Sequence, residues 1–132
     1  MAGRDLVHTL NKKVTIPAGG KITVTFLDAA GKKTEAKAMD FRLKAAMGSG
    51  HAGEVHFHYT AKHDDAFVTG APAAGEFTTD NTRFFLYDGA SFRTEDGEVI
   101  GKMIFYNSDA VVDIDLHMFA RSDVDISGST MA

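Results

Sequence analysis

No cysteine and no tryptophan occur anywhere in these 132 residues. The first absence removes disulfides, thiolate nucleophiles and cysteine-ligated zinc together, and it leaves the redox compartment open. The second leaves the large core positions to ten Phe and six Met. A basic excess is missing too. Fourteen Lys and Arg face eighteen Asp and Glu for a net charge of −4, so no nucleic-acid partner is expected. No apolar run approaches a membrane span, and the start M-A-G-R-D-L-V-H carries no apolar h-region, so neither a membrane partner nor a signal peptide is expected in this chain. What remains is a chain that is 44% hydrophobic and long enough to bury a core as one domain spanning 1–132.

The stretch from Val99 to Arg121 is the clearest object in it. Val112, Ile114, Leu116, Met118 and Ala120 alternate with Asp113, Asp115, His117, Phe119 and Arg121. That period of two marks a strand with one buried and one wetter face. Before it, Val99, Met103 and Phe105 oppose Ile100, Ile104 and Tyr106, the two-sided apolar pattern of an interior strand. The polar break Asn107-Ser108-Asp109 between the two reads as a hairpin loop. Val14–Ile16 and Lys21–Leu27, joined by Pro17-Ala18-Gly19-Gly20, read as a second hairpin.

Elsewhere Leu6–Leu10 reads as a short strand or arm, and Glu54–Ala61 as a strand with Val55, Phe57 and Tyr59 on one face. Arg83–Tyr87 is a further strand, and Ser91–Glu95 precedes the central pair. The dipeptides Asp88-Gly89 and Asp96-Gly97 signal hairpin turns. Gly70–Gly75 is a surface loop, and Val124–Ile126 a last short strand. Residues 34–48 fit two patterns. Met39, Phe41, Leu43, Ala45 and Met47 suit a strand, while Ala36, Met39, Leu43, Ala46 and Met47 suit a helix capped at Thr34. The strand is preferred because the segment follows directly on a turn. The fold expected is therefore all-β: an antiparallel β-sandwich or jelly-roll-like barrel, with at most one short helix at 34–48.

Three groups of residues could carry chemistry. Four of six histidines fall between His51 and His63, and His56 and His58 share a strand face about 7 Å apart, close enough to chelate a metal with a third ligand. Gly50, five residues, His56-Phe57-His58, four residues, His63, six residues and Gly70 resemble the first motif of the cupins. That resemblance implies a metal centre built from His56, His58, His63 and His117. The cupin pattern has Glu where His63 stands, and no Pro-x-Gly turn precedes His117, so the second cupin motif is missing. The plain alternative is a polar, half-exposed strand face, and no metal or other cofactor is expected. The aspartates Asp109, Asp113, Asp115, Asp123 and Asp125 contain no D-x-D-x-D-G loop for calcium. Asp113 with Asp115, or Glu54 with either, could be paired for glycoside hydrolysis, as could many pairs among eighteen acids. There is no G-x-S-x-G, and neither Gly48-Ser49-Gly50 nor Gly101 leads into a phosphate loop.

The third group is aromatic. Phe84, Phe85, Leu86, Tyr87, Phe92, Phe105, Tyr106 and Phe119 place large apolar groups on both faces of neighbouring strands, and a two-layer sandwich buries only the inner ones. Phe84, Phe85, Leu86, Tyr87 and Phe119 are therefore the interface candidates. The ends, 1–5 and 127–132, are expected to lie outside the core strands and to serve contacts. These features favour a non-enzymatic structural protein that packs with itself or a larger protein lattice. A virion component such as a phage capsid decoration protein, made in the host cytoplasm, fits best. A cupin-like metal protein and a carbohydrate-binding sandwich are the alternatives.

Overall fold

The computed structural model describes residues 6–60, 82–94 and 98–132, with positions 60 and 82–85 described as backbone. Among the described residues nine strands follow one another: β1 His8–Ile16, β2 Lys21–Thr25, β3 Ala38–Lys44, β4 Val55–Thr60, β5 Thr82–Leu86, β6 Ser91–Arg93, β7 Lys102–Asn107, β8 Ile114–Ser122 and β9 Thr130–Met131. They form two antiparallel sheets, ordered β1-β8-β3-β6 and β5-β4-β7-β2-β9. The first eight strands pair as β1 with β8, β2 with β7, β3 with β6 and β4 with β5. One long antiparallel ribbon rolled onto itself gives this order, which is that of a jelly roll. The expected all-β sandwich is the fold, and no helix occurs among the described residues.

Residues 34–48 hold strand β3. Met39, Phe41, Leu43 and Ala45 are buried, as period two requires, while Met47 lies past the strand end and is 99% exposed. A helix would have put Asp40 or Arg42 into the core. His8–Leu10 of the expected first strand and Val14–Ile16 belong to one nine-residue strand running through Asn11, Lys12 and Lys13, while Leu6 and Val7 precede it. β1 is an edge strand. Lys12 stands opposite the buried Met118 at a core-facing register position yet is exposed, a placement that discourages another strand from pairing there.

The two expected hairpins are corrected. β7 and β8 lie in different sheets, as do β1 and β2. Residues 108–113 and 17–20 are crossings from one layer to the other. Asp88-Gly89 does form a turn, with Ala90 N–H donating to Tyr87 O and Gly89 at φ +87°, but it joins β5 to β6 across the layers. Asp96-Gly97 and the 70–75 loop lie outside the described residues. Alternation and turn chemistry locate a strand and its reversal, but they do not select the sheet that receives the next strand.

The core sits between the sheets. Phe41 meets Phe57 and Phe105 edge-on at ring distances of 4.9 and 5.1 Å and stacks on Phe92 at 5.5 Å. This cluster joins β3 and β6 of one sheet to β4 and β7 of the other. Around it Phe26, Met39, Met103 and Met118 are fully enclosed, so Phe and Met do take the tryptophan-sized positions. The C-terminal end is also part of the fold. Val124–Ile126 is not a strand, but Ile126 is in the core. β9 pairs with β2, and Thr23 and Ala132 exchange N–H···O bonds of 2.8 and 3.0 Å. A side chain at Gly128 would run into the carbonyl of Asp28. The expectation that 127–132 lies outside the core strands is overturned. Residues 1–5 lie outside the described ones.

Candidate functional site

The outer face of the four-stranded sheet is built by alternation. Ile114, Leu116, Met118 and Ala120 turn β8 inward, so Asp115, His117, Phe119 and Arg121 face out. Pairing then sets their neighbours. Phe119 stands between Asn11 of β1 and Asp40 of β3, with Arg93 of β6 beyond Asp40. The next row reads Lys13, His117, Arg42 and Ser91, and the row after it Thr15, Asp115 and Lys44. Phe119 is 37% exposed, a large ring set on an otherwise polar surface. Cross-strand neighbours lie about 5 Å apart, so these side chains form one continuous patch.

The charges of the patch are unevenly matched. Arg93 Nε donates to Asp40 Oδ1 at 2.7 Å. Lys13 Nζ lies 3.4 Å from Asp115 Oδ2, and the Thr15 hydroxyl donates to Asp115 Oδ1 at 2.8 Å. Both carboxylates are therefore engaged, while Arg42, Lys44 and Arg121 have no carboxylate partner among the described residues. At the outward positions of these strands five cations (Lys13, Arg42, Lys44, Arg93, Arg121) face two carboxylates, a surplus of three positive charges on a chain whose net charge is −4.

The opposite outer face differs. On β4 and β7 the residues turned away from the core include His56, His58, Lys102, Ile104 and Tyr106. His58 and Ile104 are cross-strand neighbours, and both have no exposed surface. His56 sits edge-on to Tyr106 at 6.0 Å, with its Nε2 3.7 Å from Glu54 Oε1. Glu54 also takes a hydrogen bond from the Tyr87 hydroxyl, which raises the pKa of that tyrosine. The half-exposed polar strand face read from the sequence describes His56 but not His58.

The sandwich therefore separates the expected sets. His56 and His58 lie on the five-stranded sheet, and His117 lies on the outer face of the other sheet, with the core between them. His63 lies outside the described residues, and among those described no cluster of three or more metal-ligating side chains occurs. Of the interface candidates, Leu86 packs against the core and Tyr87 is exposed in the turn after β5. Phe84 and Phe85 hold register positions opposite Phe57 and His56. Phe119 alone belongs to the four-stranded sheet. Of the other aromatics counted as surplus, Phe92 and Phe105 turn inward and Tyr106 outward. Its partners on the patch, Asn11, Asp40, Arg42 and Arg93, do not stand out in the sequence. Their one signal is an outward position on strands flanking β8, and it becomes readable only once the pairing is known.

The end of the sandwich beside this face is held rigidly. Asn107, fully buried at the end of β7, donates Nδ2–H to Val112 O at 2.8 Å and to Ile16 O at 3.3 Å. Its Oδ1 accepts from Asp109 N at 3.1 Å and bonds His51 Nε2 at 2.9 Å. Because that oxygen is an acceptor only, Nε2 carries the ring proton. Asp109 then accepts from the backbone N–H groups of Ala52, Val111 and Val112 at 2.9, 2.9 and 3.0 Å. These bonds, that from Ala52 first, hold its carboxyl far below the usual carboxylate range. Asp113 accepts from Ala18 N at 2.8 Å. The aspartates 109 and 113 thus fasten backbone at the crossings. Asp125 does the same at the far end, taking Ser127 N and Ala29 N, both at 2.9 Å.

No family model matches the chain, and no curated protein sequence is similar enough to count as a relative. Among solved structures, the crystal structure of the Yersinia pseudotuberculosis-derived mitogen is similar with a TM-score of 0.46 and 12% identity, over 93% of this chain and 94% of that one.

Proposed function

We propose that this chain is a non-enzymatic assembly module that attaches to a larger protein lattice through the outer face of its four-stranded sheet. The observation that carries this reading is the patch around Phe119: an exposed ring among polar and charged side chains, on a sheet whose other face is the core. Aromatic and Arg residues are the side chains that dominate contact energetics when a partner covers them. A virion surface, with the chain as a capsid decoration protein, is the setting proposed. The small size, the all-β build and the exposed ring among charges on the four-stranded sheet support it. Three strands of seven to nine residues and a fourth of three present roughly 350–500 Å², below the ~800 Å² per partner of a standard interface. One such contact is weak by itself, and copies on a repeating lattice would hold through multiplicity only where neighbouring copies are joined to one another.

Co-sedimentation with purified capsids, beside light scattering of the free protein, tests this. The expected result is particle binding that Phe119→Ala weakens while the urea midpoint stays unchanged. Particle binding indifferent to Phe119, or a chain that scatters as 14.2 kDa and sediments with no particle, would remove the reading.

A further inference from the structure

Granting that docking face, we infer that its partner is an acidic protein surface and not a second copy of this chain. The patch keeps three positive charges beyond those its own carboxylates match, and Arg42, Lys44 and Arg121 have no carboxylate within reach among the described residues. Two copies laid face to face about a two-fold axis would set that surplus against itself, because such an interface repeats the same patch on both sides. The occupant must bring negative charge.

The pattern of charge also selects the kind of anion. Asp40 lies within the rank that contains Phe119, and Asp115 within the next but one. A continuous polyanion crossing the sheet would pass close to both carboxylates, and the remainder of the chain, which must carry a net −7 to bring +3 down to −4, would repel it further. Discrete carboxylates on a protein surface avoid both costs. They can meet Arg42 and Arg121 in the paired N–H···O geometry that guanidinium groups favour, while an apolar side chain covers Phe119. Attachment of this kind is steered by charge and weakened by salt.

Titration with a short peptide whose glutamates are spaced by alanines tests the inference, with heparin and a single-stranded oligodeoxynucleotide as rival polyanions and amide chemical shifts as the readout. The spaced-glutamate peptide should shift the amides of Asn11, Arg42, His117 and Phe119, bind more tightly than either rival, and weaken with salt. The double variant Arg42→Glu/Arg121→Glu should lose about tenfold or more in affinity. Both changes are on the surface, so an unchanged urea midpoint separates lost binding from lost folding. A spaced-glutamate peptide that leaves these amides unmoved would overturn the inference. Tighter binding of heparin or DNA through the same residues would overturn it in favour of a polysaccharide or nucleic acid. Capsid binding that needs Phe119 but ignores Arg42, Arg121 and salt would keep the docking face and discard the acidic partner.

Discussion

The two outer faces of this sandwich are made by the same rule and end in opposite conditions. On β8 the residues turned away from the core are Asp115, His117, Phe119 and Arg121, and they are open or half open to solvent. On β4 and β7 two of the equivalent positions hold His58 and Ile104, which are as enclosed as the core itself, while His56, Lys102 and Tyr106 are half-buried. Alternation assigns a side chain to a face; it does not say whether that face is covered. An apolar residue on an outer face therefore has two meanings. Ile104 belongs to the stability of the chain, and Phe119, set among charges, is available for a contact.

One substitution on each face turns this contrast into a measurement. Ile104→Ala should lower unfolding free energy by about 2–4 kcal/mol, the range for a buried branched aliphatic, in a urea titration. Phe119→Ala should cost under about 1 kcal/mol, as surface changes do. Equal costs on the two faces would erase the distinction and with it the case for Phe119 as a contact residue.

Next in size is the polar knot that spans the layers. Asn107→Ala strips partners from His51 Nε2, Asp109 N, Ile16 O and Val112 O at once. Leaving such groups unmet costs about 2–3 kcal/mol where one or two stay dry. Both outer faces should loosen together, read as faster amide exchange on β7 and β8 alike. Acid should act on the same knot. The carboxyl of Asp109 is held below its unfolded value near 3.9, so the unfolded chain takes up its proton first as pH falls. Its contribution is complete above that value, declines through about pH 4, and is lost once the folded carboxyl protonates. Asp109→Asn should flatten the acid limb of a stability-against-pH curve and leave a residue from Asp125, whose pKa is lowered in the same sense. An acid limb that the variant leaves untouched would mean that the shift does not reach folding.

Much of this was legible before any coordinates, and what was not has a physical reason. Period two placed β8 and picked its inner residues, and it favoured a strand at 34–48. Turn residues marked the reversals at 17–20 and 88–89. Sheet membership escaped, because a four-residue loop can return beside its own strand or step across the core, and the residues that decide are distant. Asn107 is one of these: read as loop polarity, it is a buried clamp between Ile16 and Val112. The docking patch escaped for the same cause. Phe119 was singled out by its own strand, but Arg42 and Arg93 become its neighbours only when β3 is laid beside β8 and β6 beside β3.

The smallest effect expected on stability bears most directly on function. Arg93 is 77% exposed and Asp40 35%, so their 2.7 Å contact is a surface ion pair, worth at most about 0.2–1 kcal/mol and less in salt. Asp40→Asn should thus leave the urea midpoint almost where it was. It should nevertheless change the face, because it removes one of the two carboxylates on the patch, the one that accepts from Arg93. The surplus then grows from three positive charges to four, and attachment to an acidic surface should tighten by a few-fold and depend more steeply on salt. The opposite face provides the control: Lys21→Gln removes a charge from a strand of the five-stranded sheet and should leave attachment as it was. If Asp40→Asn weakens binding instead, Asp40 is itself a contact, holding Arg93 or meeting a cation on the partner. The face would then be read by matched pairs of charges and not by its positive surplus.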